Sequence, residues 1–136
     1  MPHHFGEEIQ LKISAWLVVG TLLVSAIASA QQANLYDGSW NMVTTNMKGN
    51  KRTGEVIIKD QGGVWKLDSS PKNDPCVGIR SPIVVHRAST DELVFEIRKS
   101  EALSGCRDHI ATMKRIDATT LQGATDDGKP LTMNRK

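Results

Sequence analysis

The sequence is short of aromatic residues, which make up 4% of its 136 positions, and it carries only two cysteines. Its basic residues are scattered, with no stripe among them and almost no aromatic ring between them, which excludes a stacking platform for single-stranded nucleic acid. No Cys-x-x-Cys spacing occurs, so a polarised dithiol pair has no place to form. Internal repeats, low-complexity tracts and interdomain linkers are all missing, which argues for one domain. Long apolar stretches are missing as well, with a single exception near the N-terminus.

That exception runs from Ile13 to Ala30 after the lone basic residue Lys12, and it closes on Ala28-Ser29-Ala30. An apolar middle (13–27) followed by an Ala-x-Ala end reads as an export signal, since signal peptidase accepts only small side chains just before the cut. Cleavage is expected after Ala30. Glu7 and Glu8 depart from the usual positive start of such leaders. The competing reading is an uncleaved anchor, because the run approaches the length that spans a hydrocarbon core of roughly 30 Å. Ser14, Gly20, Thr21, Ser25 and Ser29 dilute the run and no basic cluster follows it, so no stable membrane span is expected after cleavage. No cysteine follows it either, which disfavours a lipid-anchored lipoprotein.

Residues 31–136 then form a single domain large enough for a modest core. Of 17 basic and 15 acidic residues the leader takes Lys12, Glu7 and Glu8, leaving 16 and 13, a formal +3. So small a charge gives no reason to expect a nucleic-acid partner. In an exported chain Cys76 and Cys106 are expected to form a disulfide, and only one pairing exists. This places the protein in the periplasm or outside the cell.

Hydrophobic alternation has a period of two almost throughout 31–136, which marks an all-β domain. Strands are expected at Ser39–Thr45, Arg52–Asp60, Val64–Ser69, Arg80–Ala88, around Leu93, Phe95 and Ile97, at Cys106–Ile116, Thr119–Ala124 and Lys129–Arg135. Gln61-Gly62-Gly63 is expected to turn the second strand into the third, and Asp126-Asp127-Gly128 is the strongest hairpin signal. Ser70–Gly78, with Pro71 and Pro75, is the long loop, because proline cannot donate to a ladder. Ser100-Glu101-Ala102-Leu103 suits one helical turn stopped by Gly105. About eight short antiparallel strands suggest a small up-and-down barrel or a sandwich, and the short hairpin links favour the barrel.

Gly38-Ser39-Trp40 at the start of the first strand and Arg135 at the end of the last resemble the Gly-x-Trp and terminal-Arg arrangement of the calycin superfamily, the lipocalins and avidins. The resemblance implies that Trp40 closes one barrel end while Arg135 lies across its indole face, a cation–π contact worth about 0.5–2 kcal/mol. It makes Gly38, Trp40 and Arg135 structural. An avidin-like biotin site is lined by several tryptophans, whereas residues 31–136 hold only Trp40 and Trp65. Leu93, Phe95, Ile97, Met113 and Trp65 are expected to fill so small an interior, leaving no large cavity. The pattern is also similar to small exported Gram-negative proteins with no assigned activity.

Catalytic groups are thin. Ser104-Gly105 near His109 has no nucleophile elbow around it. Asp108 and His109 would point to opposite faces of a strand and could not share a metal ion. Asp91-Glu92 and Asp126-Asp127 read as turn chemistry. No catalytic residue, metal or cofactor is therefore expected. The candidate interaction surface is the stapled loop with the segment beside it, which supply Lys72, Asp74, Arg80, Lys99, Arg107, Asp108 and His109. The expected function is noncatalytic binding of an envelope macromolecule or cell-wall component. The alternative is inhibition of a wall-degrading enzyme, since small disulfide-bearing barrels resembling lysozyme inhibitors plug a glycosidase cleft with a loop. Here Ser104-Gly105 lacks the aromatic or lysine that follows Ser-Gly in those loops.

Overall fold

In the computed structural model, which describes residues 35–68 and 74–136, eight antiparallel strands close into a barrel. The expected leader at 1–30, with its cleavage point, lies outside the described residues. The strands are β1 (Gly38–Thr45), β2 (Lys51–Lys59), β3 (Gly62–Leu67), β4 (Ser81–Ala88), β5 (Glu92–Ile97), β6 (His109–Arg115), β7 (Thr120–Thr125) and β8 (Pro130–Arg135), with one helical turn, α1 (Lys99–Ala102), between β5 and β6. Each strand pairs with the next, and β8 returns to β1 in a register that sets Trp40 opposite Arg135 and Thr44 opposite Leu131. Closure decides between barrel and sandwich: no strand keeps an open edge.

The alternation of the sequence becomes an inside and an outside. Trp40 and Met42 from β1, Val56 and Ile58 from β2, Leu93, Phe95 and Ile97 from β5, Met113 from β6 and Leu131 and Met133 from β8 all point inward and are buried. Trp65 packs at an angle to Phe95, with ring centroids 6.4 Å apart, a tilted geometry that suits aromatic quadrupoles.

Two expectations are corrected. The β2–β3 turn is made by Asp60 and Gln61, with Asp60 at φ 58°, and Gly62 and Gly63 belong to β3. Gly63 sits at φ 145°, and a Cβ there would fall 1.8 Å from the Ile57 carbonyl oxygen. Gly63 thus serves a close approach of two strands and not a turn. The sixth strand begins at His109, not at Cys106. Asp108 is instead drawn back to α1, accepting hydrogen bonds from the Ser100 N–H and hydroxyl, both at 2.8 Å. The fourth strand runs over Ser81–Ala88, as expected to within a residue, and a bulge between Val85 and Arg87 leaves His86 without a register partner on β5.

Up-and-down order puts alternate links at the same end of the barrel. The β2–β3, β4–β5 and β6–β7 turns gather at one end with the start of β1 and the end of β8. The β1–β2, β3–β4, β5–β6 and β7–β8 links gather at the other. The Cys76–Cys106 disulfide, with Cα atoms 5.5 Å apart, ties the β3–β4 link to the β5–β6 link. In the chain-entropy model a loop of 30 residues is worth roughly 3–4 kcal/mol.

Candidate binding site at the barrel mouth

The end where β1 begins is sealed. Arg135 places its guanidinium carbon 4.2 Å from the Trp40 ring centroid. It also donates hydrogen bonds to the carbonyls of Asp37 (2.6 Å), Leu35 (2.9 Å) and Ala118 (3.3 Å). The Trp40 indole N–H donates to the Tyr36 carbonyl at 2.9 Å. Tyr36, buried beneath the chain entry, donates its hydroxyl to the Ser89 carbonyl at 2.5 Å, and burial pushes its phenol above the ordinary tyrosine range. Gly38 stands at φ 134°, where a Cβ would meet an Arg135 guanidinium nitrogen at 2.9 Å. The Gly-x-Trp spacing thus has a steric reason in this chain: only glycine lets the arginine lie down on the indole.

Among the described residues the opposite end is open. Between its four links lies a cavity of about 410 Å³, within the roughly 300–1,000 Å³ of sites that hold small molecules. Trp65, Leu67 and Ile97 form its apolar floor, and Thr44, Met47 and Val77 continue the wall. Leu93, Phe95, Ile97, Met113 and Trp65 are all buried, as expected of the interior, and the cavity lies at the mouth.

Charged groups ring the cavity. Lys48 and Arg52 come from the β1–β2 side, Asp74 from the β3–β4 link, Lys99 from α1, His109 from the start of β6, and Asp127 and Lys129 from the β7–β8 turn. Burial pushes the Lys99 ammonium below lysine's ordinary value and Lys129 adds to the effect, while Asp74 and Asp127 oppose it. Asp127 is also partly buried, which works to raise its carboxyl. Hydrogen bonds from Thr125 and Lys129 prevail and hold it below the usual carboxylate range.

One polar group on the floor stands apart. Trp65 is only 4% exposed, and its indole N–H is buried without a hydrogen-bond partner. Ser81, its register neighbour on β4, is fully buried with a hydroxyl that is likewise unpartnered. The third such atom among the described residues is Asp37 Oδ1 at the sealed end, and groups left so are rare in folded proteins.

The residues expected at the interaction surface divide. Asp74, Lys99 and His109 line the cavity together. Arg80 does not join them: it borders a separate outer-face depression of about 140 Å³ with Glu55 and Lys66. Arg107 is exposed on the β5–β6 link. Asp108 is committed to Ser100, whose backbone N–H, more than any nearby charge, holds its carboxyl below the usual range. Lys72 lies outside the described residues.

The His109 Nδ1–H donates a 3.0 Å hydrogen bond to the Asp126 carboxylate, and these two with Asp127 offer ligand atoms within 4.8 Å of one another. The turn carboxylates expected to serve only backbone geometry therefore meet a histidine from the neighbouring strand. A divalent cation could be met by such a set. The atoms already have other partners, since Asp127 takes the Thr125 hydroxyl and the Lys129 ammonium, the latter at 3.3 Å. Trp65, Leu67, Arg52 and Lys129 were not anticipated as site residues. The signal that finds them is topological: in an eight-strand meander every other link shares the mouth, so each contributes to it.

No protein-family model matches the chain, and no curated protein matches it. Among solved structures, a redesigned β-barrel is similar to it at 17% identity, over 79% of this chain and 96% of that one, with a TM-score of 0.50. A second redesigned β-barrel, mFAP1 bound to DFHBI, matches at 15% identity over 77% of this chain and 98% of its own, with a TM-score of 0.49. At such identity the first likeness is one of fold alone.

Proposed function

We propose that this is a noncatalytic binding protein, exported to the periplasm or beyond, which engages a component of the cell envelope through the open end of its barrel. The observation that carries the reading is the mouth cavity, an apolar floor ringed by polar groups from four links, two of them fixed to each other by the disulfide. Rigidly held loops around a concave apolar site are what binding requires, because little entropy remains to be lost when the ligand arrives. Export is supported by the leader-like run ending at Ala30 and by the Cys76–Cys106 bridge, which persists in oxidising compartments. The sealed end, with Arg135 across Trp40, supports kinship with calycin-type barrels. A noncatalytic role is supported by the sequence around Ser104-Gly105, which holds no nucleophile elbow.

The test is expression of the full chain in a Gram-negative host, so that the host's own peptidase sets the N-terminus. A mass beginning at Gln31 in the periplasmic fraction supports export, and retention of 1–30 in the membrane fraction overturns cleavage. Titrating the labelled periplasmic protein with an envelope extract should move backbone resonances of 44–52, 65–67, 97–99 and 125–129. Silence there, or shifts confined to the sealed end, would sink the binding reading.

A further inference from the structure

The start of β6 and the β7–β8 turn bring three metal-ligating side chains together. His109 is the first residue of β6, Asp126 and Asp127 belong to the turn, and one ligand atom of each lies within 4.8 Å of the others. Among the described residues no other group of three histidine, cysteine or carboxylate side chains comes so close. The His109 side chain is well shielded at 17% exposure, with Asp127 at 26% and Asp126 at 50%. The trio stands at the wall of the mouth, since His109 and Asp127 both line the cavity.

The backbone beneath these side chains is already fixed. The Asp126 N–H donates to the carbonyl of Ile110, the residue after His109, at 2.8 Å. The turn closes on itself through the Thr125 N–H on the Lys129 carbonyl at 3.0 Å and the Gly128 N–H on the Thr125 carbonyl at 2.9 Å. Around a tetrahedral zinc ion, nitrogen and oxygen ligands stand roughly 3.3 Å apart, given metal–ligand bonds of about 2.0–2.2 Å. His109 and Asp126, at 3.0 Å, are close to that spacing. Asp127 reaches it by rotating its side chain, with no change in the backbone.

The fold already holds a cation at this place. Asp127 takes the Lys129 ammonium at 3.3 Å beside the Thr125 hydroxyl. With a neutral imidazole the trio carries two negative charges, of which one ammonium offsets half. A divalent ion matches both, and Lys129, 39% exposed, is free to withdraw into water. Imidazole beside carboxylates favours zinc and its neighbours, whereas magnesium and calcium require more oxygen ligands than this trio supplies.

We propose that His109, Asp126 and Asp127 form a binding site for a zinc-like divalent ion, which replaces Lys129 as the partner of Asp127. The imidazole keeps its one proton on the nitrogen that does not bind the metal. The ion clips β6 to the β7–β8 turn and retains coordination positions for water or for a ligand's donor atom. The site stands independently of the envelope-binding function. His86, bonded to the single carboxylate of Glu96 at 2.8 Å, supplies an internal control.

The experiment strips the ¹⁵N-labelled protein of metal with EDTA and titrates it with zinc, magnesium and calcium chlorides, following the imidazole resonances of His109 and His86. Reading each histidine separately makes the outcome independent of whether residues 1–30, with His3 and His4, are retained. Zinc should shift His109 to a one-to-one endpoint, at least about a hundredfold more tightly than magnesium or calcium, and leave His86 in place. Asp127→Asn should weaken zinc at least about tenfold. Lys129→Gln should tighten it severalfold, because the competing ammonium is gone. If Asp127→Asn does not fold, Lys129→Gln carries the test, since its side chain lies partly in solvent and a merely structural turn would not gain affinity. Zinc that leaves His109 unmoved overturns the site. Zinc that moves both histidines equally marks nonspecific imidazole binding and overturns it as well. Unchanged or weaker binding in Lys129→Gln overturns the exchange with Lys129. The envelope-extract titration decides the binding function separately, so either reading can fail alone.

Discussion

The two ends of this barrel each carry a buried tryptophan, and the two are treated in opposite ways. Trp40 has its indole N–H on the Tyr36 carbonyl, a guanidinium on its face and a tyrosine beneath it. Trp65 is equally out of water, yet its N–H meets nothing and its surroundings end in a cavity. The sealed end satisfies its indole, although the Asp37 Oδ1 atom buried there has no partner. The mouth end leaves the indole of Trp65 unmet and partly buries the Lys99 ammonium, both of which cost stability. The comparison also explains the placement of the disulfide. The sealed end is held by its own contacts, whereas the mouth, built from longer links, is held by a covalent tie.

The largest test of that comparison removes the tie. Replacing both Cys76 and Cys106 by serine should lower stability by roughly 3–4 kcal/mol in denaturant titrations. Amide exchange should quicken at 74–80 and 98–108 while the Trp40 end keeps its protection. Equal quickening at both ends would contradict the division. Next come the tryptophans themselves. Trp40→Phe strands the Tyr36 carbonyl and weakens the Arg135 contact, but Trp65→Phe removes a donor that bonds nothing. The first should therefore cost about 2 kcal/mol more than the second, and equal losses in a urea titration would show that the unmet N–H is immaterial. Gly38→Ala should be milder, roughly 1–2 kcal/mol, from a side chain at positive φ and a displaced Arg135. It should move the Trp40 indole resonance and spare that of Trp65.

The smallest effect concerns pH. Asp108 is held below the ordinary carboxylate range in the folded state by Ser100. Its folded pKa is depressed, so its contribution is present above the unfolded value near 4 and is lost as pH falls through the folded value. Asp108→Asn should lower the melting temperature slightly at pH 6, and the difference should shrink steadily below about pH 4. A difference that persists unchanged into acid would mean that the carboxylate does not cap the β5–β6 link.

Much of this architecture is legible in the residue pattern. Trp40, Met42 and Thr44 share one face of β1, and Leu93, Phe95 and Ile97 one face of β5, as a period of two requires. What misleads is local chemistry that serves a distant contact. Gly62-Gly63 looks like a turn because glycine tolerates positive φ, but the demand at Gly63 comes from the Ile57 carbonyl across the ladder. Cys106 and Asp108 continue an alternating pattern into β6, yet the disulfide and Ser100 hold them off the sheet. The mouth was half visible. Asp74, Lys99 and His109 were read from the stapled segments, while Trp65 was read as core, since no sequence rule says whether a buried indole will find its acceptor. Nor does composition reveal the volume left above the last inward layer, which depends on how four links drape.

The pairing of β1 with β8 has a kinetic meaning. Every other pairing joins neighbours in sequence and can form as a hairpin, but the bond from Arg135 to the Asp37 carbonyl bridges 98 positions. Such a contact comes at the slow end of the folding timescale, since the chain must be drawn together before it rewards the encounter. Until it forms, β1 and β8 are free edges able to recruit other chains. Arg135 and Trp40 thus act as a latch on the time axis: the step they complete ends the interval in which a newly delivered chain is open to aggregation.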